Sequence, residues 1–162
     1  MTMQYDVKSY HNTVSGVAVP YRTRLKGVVV SPSTSVTHNA CVMNNVSQTG
    51  TYDIPGTTTC TITIAGHGFG PGSRVWLTFT SGSALNDTYV VTAATANTFT
   101  VTTGTLTTSG NVTVYGQILT ELDCATGTTF YTLIPGEGIL ATDGIYVGLP
   151  SSNTVTSTIF YG

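Results

Sequence analysis

Few side chains in this 162-residue sequence could do covalent or acid–base chemistry: it holds three histidines, three cysteines, seven acidic and five basic residues. His67 stands in the most suggestive surroundings. It lies in TITIAGHGFGPGSRVWLTFTSG (61–82), between two glycines and upstream of Arg74. A histidine general base needs a nucleophile or a carboxylate to work with. The nearest acids along the chain, Asp53 and Asp87, belong to no recognisable motif. A phosphate-binding glycine loop aims backbone N–H groups at the phosphate from a helix N-terminus. This one lacks the P-loop lysine and runs into alternating Val75, Leu77 and Phe79, a strand pattern. It therefore reads as the tight corner of a β-hairpin, closed by Pro71-Gly72, with His67 hydrogen-bonded to the turn backbone.

Metal and disulfide chemistry have little footing. His38 and Cys41 form an HxxC pair, but a structural metal site needs a second pair of ligands. Cys41, Cys60 and Cys124 are widely spaced and odd in number. That suits buried reduced thiols, with a single Cys41–Cys124 disulfide as the alternative. Glu137 and Asp143 could form a carboxylate pair, yet they lie in the turn sequences PGEG and TDG, where acids are ordinary. The sequons NVS (45–47), NDT (86–88) and NVT (111–113) matter only in a secreted eukaryotic protein. The opening MTMQYDVKSYHN lacks the charged-then-apolar design of a signal peptide. The expectation is a chain made in a cytoplasm, with no catalytic residue, no metal, no cofactor and no enzymatic activity.

Binding is better supported than catalysis. Lys8, Arg22, Arg24 and Lys26 are four of the five basic residues. The last three fall at i, i+2 and i+4 of a predicted strand and so share a face. One reading is a solvated face that discourages pairing at a sheet edge. The other is a docking surface for an acidic partner, through Arg22, Arg24 and Lys26. Trp76 shares its strand face with threonines. It is either an exposed stacking platform for a sugar or a side chain lying beneath a second sheet.

The elements that would position these residues are strands. Charged residues make up 7% of the chain, against about 25% in an ordinary soluble domain. Threonine, at about a fifth of the residues, takes their place with serine, asparagine and 18 glycines. Thr and Val are stiff at χ1 and pack well on a pleated surface. YRTRLKGVVVSP, TCTITIA, RVWLTFT, DTYVVTAA, NTFTVTT and NVTVYG read as short strands between turn residues. GQILTELD (116–123) fits a helix or a strand equally. GILATDGIYVGL reads as a hairpin around Asp143-Gly144. The fold class is all-β: an antiparallel β-sandwich or jelly-roll-like domain, residues 1–56 and 116–162. A second small β-sandwich or barrel module, residues 57–115, is inserted through a joint at Pro55-Gly56. The net charge of −2 lacks the basic field of a general nucleic-acid binder. No apolar run is long enough for a membrane-spanning helix. So weakly charged a surface suits an assembly better than dilute solution.

Thr61 to Thr102 carries a strand, then H-G-F with a glycine turn, V-x-L-x-F-T-S-G, D-x-T-Y-x-V and N-T-F-T-V. This stretch resembles a module recurrent in tailed-bacteriophage virion proteins. The flanks, RTRLKGVVV, LIPGEGILATDGIYV and VTSTIFYG, resemble small β-sandwich proteins of marine phages. The resemblance implies a virion structural protein, assembled in the bacterial host cytoplasm, with no catalytic residues to carry over. A capsid decoration or cement protein comes first, stabilising the assembled head through the major capsid protein or other virion proteins. A homo-oligomer is expected, with a trimer as the guess from capsid symmetry. The alternatives are a head–tail or tail component, and a glycan-binding adhesion module on the virion surface, where Trp76 and some of the nine tyrosines would stack on sugar.

Overall fold

The computed structural model describes residues 6–35, 39–124, 126–150 and 155–162. These residues form strands and connections and no helix. The strands are β1 (Lys8–Asn12), β2 (Gly16–Val19), β3 (Thr23–Pro32), β4 (Asn39–Asn44), β5 (Ser47–Thr63), β6 (Arg74–Phe79), β7 (Asp87–Ala94), β8 (Thr98–Tyr115), β9 (Ile118–Asp123), β10 (Phe130–Leu133), β11 (Ile139–Ala141), β12 (Ile145–Gly148) and β13 (Val155–Tyr161). GQILTELD is thus a strand. The chain divides into two compact units, Met1–Asn45 with Leu119–Gly162, and Val46–Ile118.

The first unit is a sandwich of two antiparallel sheets, ordered β1-β13-β3-β10 with β11 also on β3, and β2-β12-β4-β9. Its core follows from period-2 alternation. Leu25, Val28 and Val30 of β3 point inward with Ile159 of β13, and Val42 and Ile145 of the other sheet join the same buried cluster. The hairpin expected around Asp143-Gly144 does not form. β11 pairs with β3 in one sheet, whereas β12 pairs with β2 and β4 in the other. This turn therefore carries the chain between the two layers.

The second unit is one antiparallel sheet, ordered β5-β8-β6-β7, in which β7 pairs back onto β8. The ladder β8–β6–β7–β8 returns to its starting strand, so the sheet closes on itself. NTFTVTT and NVTVYG, expected as two strands, form the single long β8. Pro55-Gly56 is not a joint between domains but an irregularity inside β5. The register with β8 shifts between Pro55 and Thr57 and again between Thr57 and Thr59. There the β5–β8 ribbon folds over. Gly50 and Thr63 would lie about 40 Å apart along a straight strand. Instead, a Cβ on Gly50 would fall on the Thr63 carbonyl oxygen and the Ile64 side chain. Tyr52 and Ile54 from one arm and Cys60 and Ile62 from the other can therefore enter one core.

Gly50→Ala should cost about 1–3 kcal/mol, because the backbone must shift to make room. Gly104→Ala, where an added Cβ meets nothing within 4 Å, should be neutral or stabilising by about 0.4–1 kcal/mol. Denaturant melts of the two variants check this, and equal midpoints would show that the two arms of β5 do not meet.

Candidate docking face

β3 is an interior strand. It pairs with β13 along one edge and with β10 and β11 along the other, so its cations guard no sheet edge, contrary to the first reading of the basic stripe. Facing β13, Phe160 opposes Gly27 and Tyr161 opposes Leu25, which leaves Lys26 as an extra residue. Leu25 and Val28 are both buried in the core, so this bulge turns Lys26 and Gly27 together to the outer face. Arg24 and Lys26 are half-buried there, and Arg22 is exposed just before the strand begins.

The three basic residues do not act alike. Arg24 Nη2 lies 3.2 Å from Glu137 Oε2, and its Nη1 donates to the Gly138 carbonyl oxygen at 3.4 Å. At 37% and 84% side-chain exposure this ion pair adds little stability, but it occupies Arg24. Among the described residues, no ion pair involves Arg22, Lys26 or Lys8. Arg22 and Lys8 line a hollow of about 270 Å³ with Asp6, Tyr21 and Tyr161. Lys26 lines another of about 310 Å³ with Val7, Tyr131, Leu133, Ile134 and Phe160. The second hollow adds apolar surface that the sequence reading had missed: Tyr131 is 60% and Leu133 66% exposed. Strand alternation in FYTL could have marked that pair, had the bulge at Lys26-Gly27 been legible.

His67 is buried, and its Nδ1 accepts the Phe69 backbone N–H at 3.0 Å. The ring packs on Phe69 and Phe99, with centroids 5.6 and 5.0 Å away. Its Nε2 is buried with no hydrogen-bond partner among the described residues, so the ring shapes the loop and contacts no acid or nucleophile there. The loop itself is no hairpin corner. β8 lies between β5 and β6, so Gly66, Gly68 and Gly72, all at positive φ, turn a connection that crosses from one side of β8 to the other.

Trp76 is not a surface platform. It is fully buried in β6, between Thr88 of β7 and Tyr115 of β8, and its indole N–H donates to Thr78 Oγ1 at 3.0 Å. Sharing a face with threonines did not expose it, because that face is covered at this point.

His38 of the HxxC pair lies outside the described residues. Cys41, Cys60 and Cys124 are buried thiols. Burial, with Asp53 nearby, pushes the Cys60 thiol up to about 12, so it stays protonated. No three His, Cys, Asp or Glu side chains among the described residues could share a metal ion. Glu137 and Asp143 are not a pair. Glu137 serves Arg24, whereas the Asp143 carboxylate accepts from Thr142 Oγ1 at 2.5 Å and Asn44 Nδ2 at 2.9 Å.

No protein-family model matches the chain, and no curated protein matches it. Among solved structures the fold is similar to "Phage phi92 endosialidase", with a TM-score of 0.33 and 17% identity. The match covers 83% of this chain and 22% of that one, so the chain spans about a fifth of that protein's length. A likeness this distant assigns neither family nor activity. What stands of the phage resemblance is a β fold with a weak likeness to one phage protein. One expectation is corrected: the structure in question is named for an enzyme, so the expected lack of enzymatic activity does not stand.

The hydrogen bonds from Thr142 and Asn44 hold the Asp143 carboxyl below its ordinary 3.8. A folded pKa below the unfolded one adds stability that is complete above the unfolded value and is lost as pH falls through the folded value. Asp143→Asn should therefore melt below wild type at neutral pH, with the gap closing as pH falls below the ordinary carboxyl value of 3.8. Thermal melts from neutral pH down through that value check it, and a gap constant with pH would remove the ionised carboxylate from the account.

Proposed function

We propose that the chain is a structural protein of a phage particle that works by docking, with capsid decoration or cementing as its role. One observation carries this reading. The outer face of β3 sets Lys26, which makes no ion pair among the described residues, beside the exposed Tyr131 and Leu133, and Arg22, likewise without one, stands exposed just before the strand at a second hollow. Exposed apolar side chains gathered on one face favour contact with another surface. The cations would steer that contact toward an acidic one. A protein that binds the assembled shell and not its free subunits stabilises the shell by mass action. The resemblance of the flanks to small phage β-sandwich proteins points the same way. The adhesion alternative has lost Trp76, which is buried, and keeps only exposed tyrosines such as Tyr10, Tyr21 and Tyr131 as stacking surfaces.

The test is binding of the purified protein to phage shells that lack it. Wild type should bind, raise the heat stability of the shells and weaken as salt rises from about 50 to 500 mM. The doubly reversed Arg22→Glu/Lys26→Glu variant leaves the Arg24–Glu137 pair intact and should bind at least about tenfold more weakly at low salt. Equal binding by the variant at every salt concentration would overturn the basic face as the docking surface. Absence of wild-type binding would overturn the shell role.

A further inference from the structure

We infer that the hollow beside Lys26 is a seat for one apolar side chain flanked by a carboxylate, presented by a partner protein. The inference deepens the docking reading above by naming what the partner must offer.

The hollow lies beside a tightly closed stretch of the sheet. Across the outer face, Phe160 of β13, Gly27 of β3 and Leu133 of β10 lie side by side in register. The middle position has no side chain. A Cβ there would already be 3.1 Å from the Thr132 carbonyl oxygen and 3.6 Å from the Phe160 ring, so the strands close around a glycine. Tyr131, Leu133 and Ile134 wall one side and Phe160 and Val7 the other, with Lys26 beside them.

Size and chemistry define the occupant. The volume of about 310 Å³ is at the bottom of the range for ligand sites, about 300–1,000 Å³. It suits a single side chain better than a cofactor. Most of its walls are apolar, and Val7, Tyr131 and Leu133 are 40%, 60% and 66% exposed, so an aliphatic or aromatic group gains most by entering. The nearby carboxylate, Glu137, is taken by Arg24, and Lys26 makes no ion pair among the described residues. An entering apolar group would strip water from its ammonium, which is costly unless a negative charge arrives with it. The occupant must therefore bring its own carboxylate.

Three short peptides probe this by NMR on the full chain: acetyl-Leu-Asp-Glu-amide, acetyl-Leu-Lys-Lys-amide and acetyl-Gly-Asp-Glu-amide. The first should cause saturable shifts at Lys26, Leu133, Ile134 and Phe160, with a Kd of about millimolar. The other two should bind at least about fivefold more weakly, because each lacks one of the paired features. Leu133→Ser and Lys26→Glu should weaken the first peptide by a similar factor. Both side chains lie on the outer face, so the fold should survive, and an unchanged spectrum elsewhere verifies this. Saturable shifts equal for all three peptides, shifts confined to other residues, no saturation, or shifts unaffected by both substitutions would each overturn the seat. The outcome separates from that of the shell experiment. Peptide binding without shell binding keeps the seat and removes the shell role, and shell binding indifferent to Leu133→Ser does the reverse.

Discussion

Strand β3 pairs with β13 from Leu25 to Pro32 on one edge, and with β11 and β10 from Thr23 to Val30 on the other. Both edges of the strand are occupied around Lys26, so what that stretch offers a partner it offers through side chains. One face is committed to the core by Leu25, Val28 and Val30. The bulge at Lys26-Gly27 then makes two consecutive residues face outward. Without it, strict alternation from Leu25 would turn Gly27 inward and Val28 out to solvent. The outward placing of Lys26 beside the hollow and the continuity of the core thus depend on one extra residue in one strand.

The second unit solves a different problem with few charges. Its threonines oppose each other across the β5–β8 ribbon, as Thr59 with Thr102, Thr61 with Thr100 and Thr63 with Thr98. Such cross-strand pairs are a recognised source of sheet stability, so the Thr-rich composition has a structural use that needs no ligand. A straight ribbon of this length could not bury both arms of β5. Folding it over at Thr57–Thr59 lets Tyr52 and Ile62 share one core, and the absence of a side chain at Gly50 permits the closest approach.

Much of this was legible in the sequence, and the misses share a cause. Alternation and β-branched runs announced an all-β chain, and the turn chemistry of PGEG and TDG located connections. What pairs with what is not local information. The hairpin around Asp143-Gly144, the hairpin at His67 and the joint at Pro55-Gly56 were each inferred from a turn signal. A turn signal reports a change of direction, not the identity of the next partner strand. Trp76 failed for a related reason: alternation assigns it a face, but whether that face is wet depends on what covers it. For the site, spacing placed Arg22, Arg24 and Lys26 together. It could not show that Glu137, more than a hundred residues away in sequence, takes Arg24, nor that Tyr131 and Leu133 come alongside Lys26.

The scarcity of charge gives the few unpaired cations unusual weight. On a densely charged surface, a lysine at an interface is compensated by whichever acid stands nearby. Here the acid beside the face already serves Arg24, and net charge supplies no background field. Covering the face with an uncharged apolar surface would gain from burying Tyr131 and Leu133 and lose from stranding the Lys26 ammonium. An unpaired buried charge costs several kcal/mol, more than the roughly 1.5–3 kcal/mol gained by burying one large apolar side chain. The same lysine that favours an acidic partner therefore rejects a merely greasy one. Selectivity comes from penalty as much as from attraction, and an exposed apolar patch can persist without sticking indiscriminately.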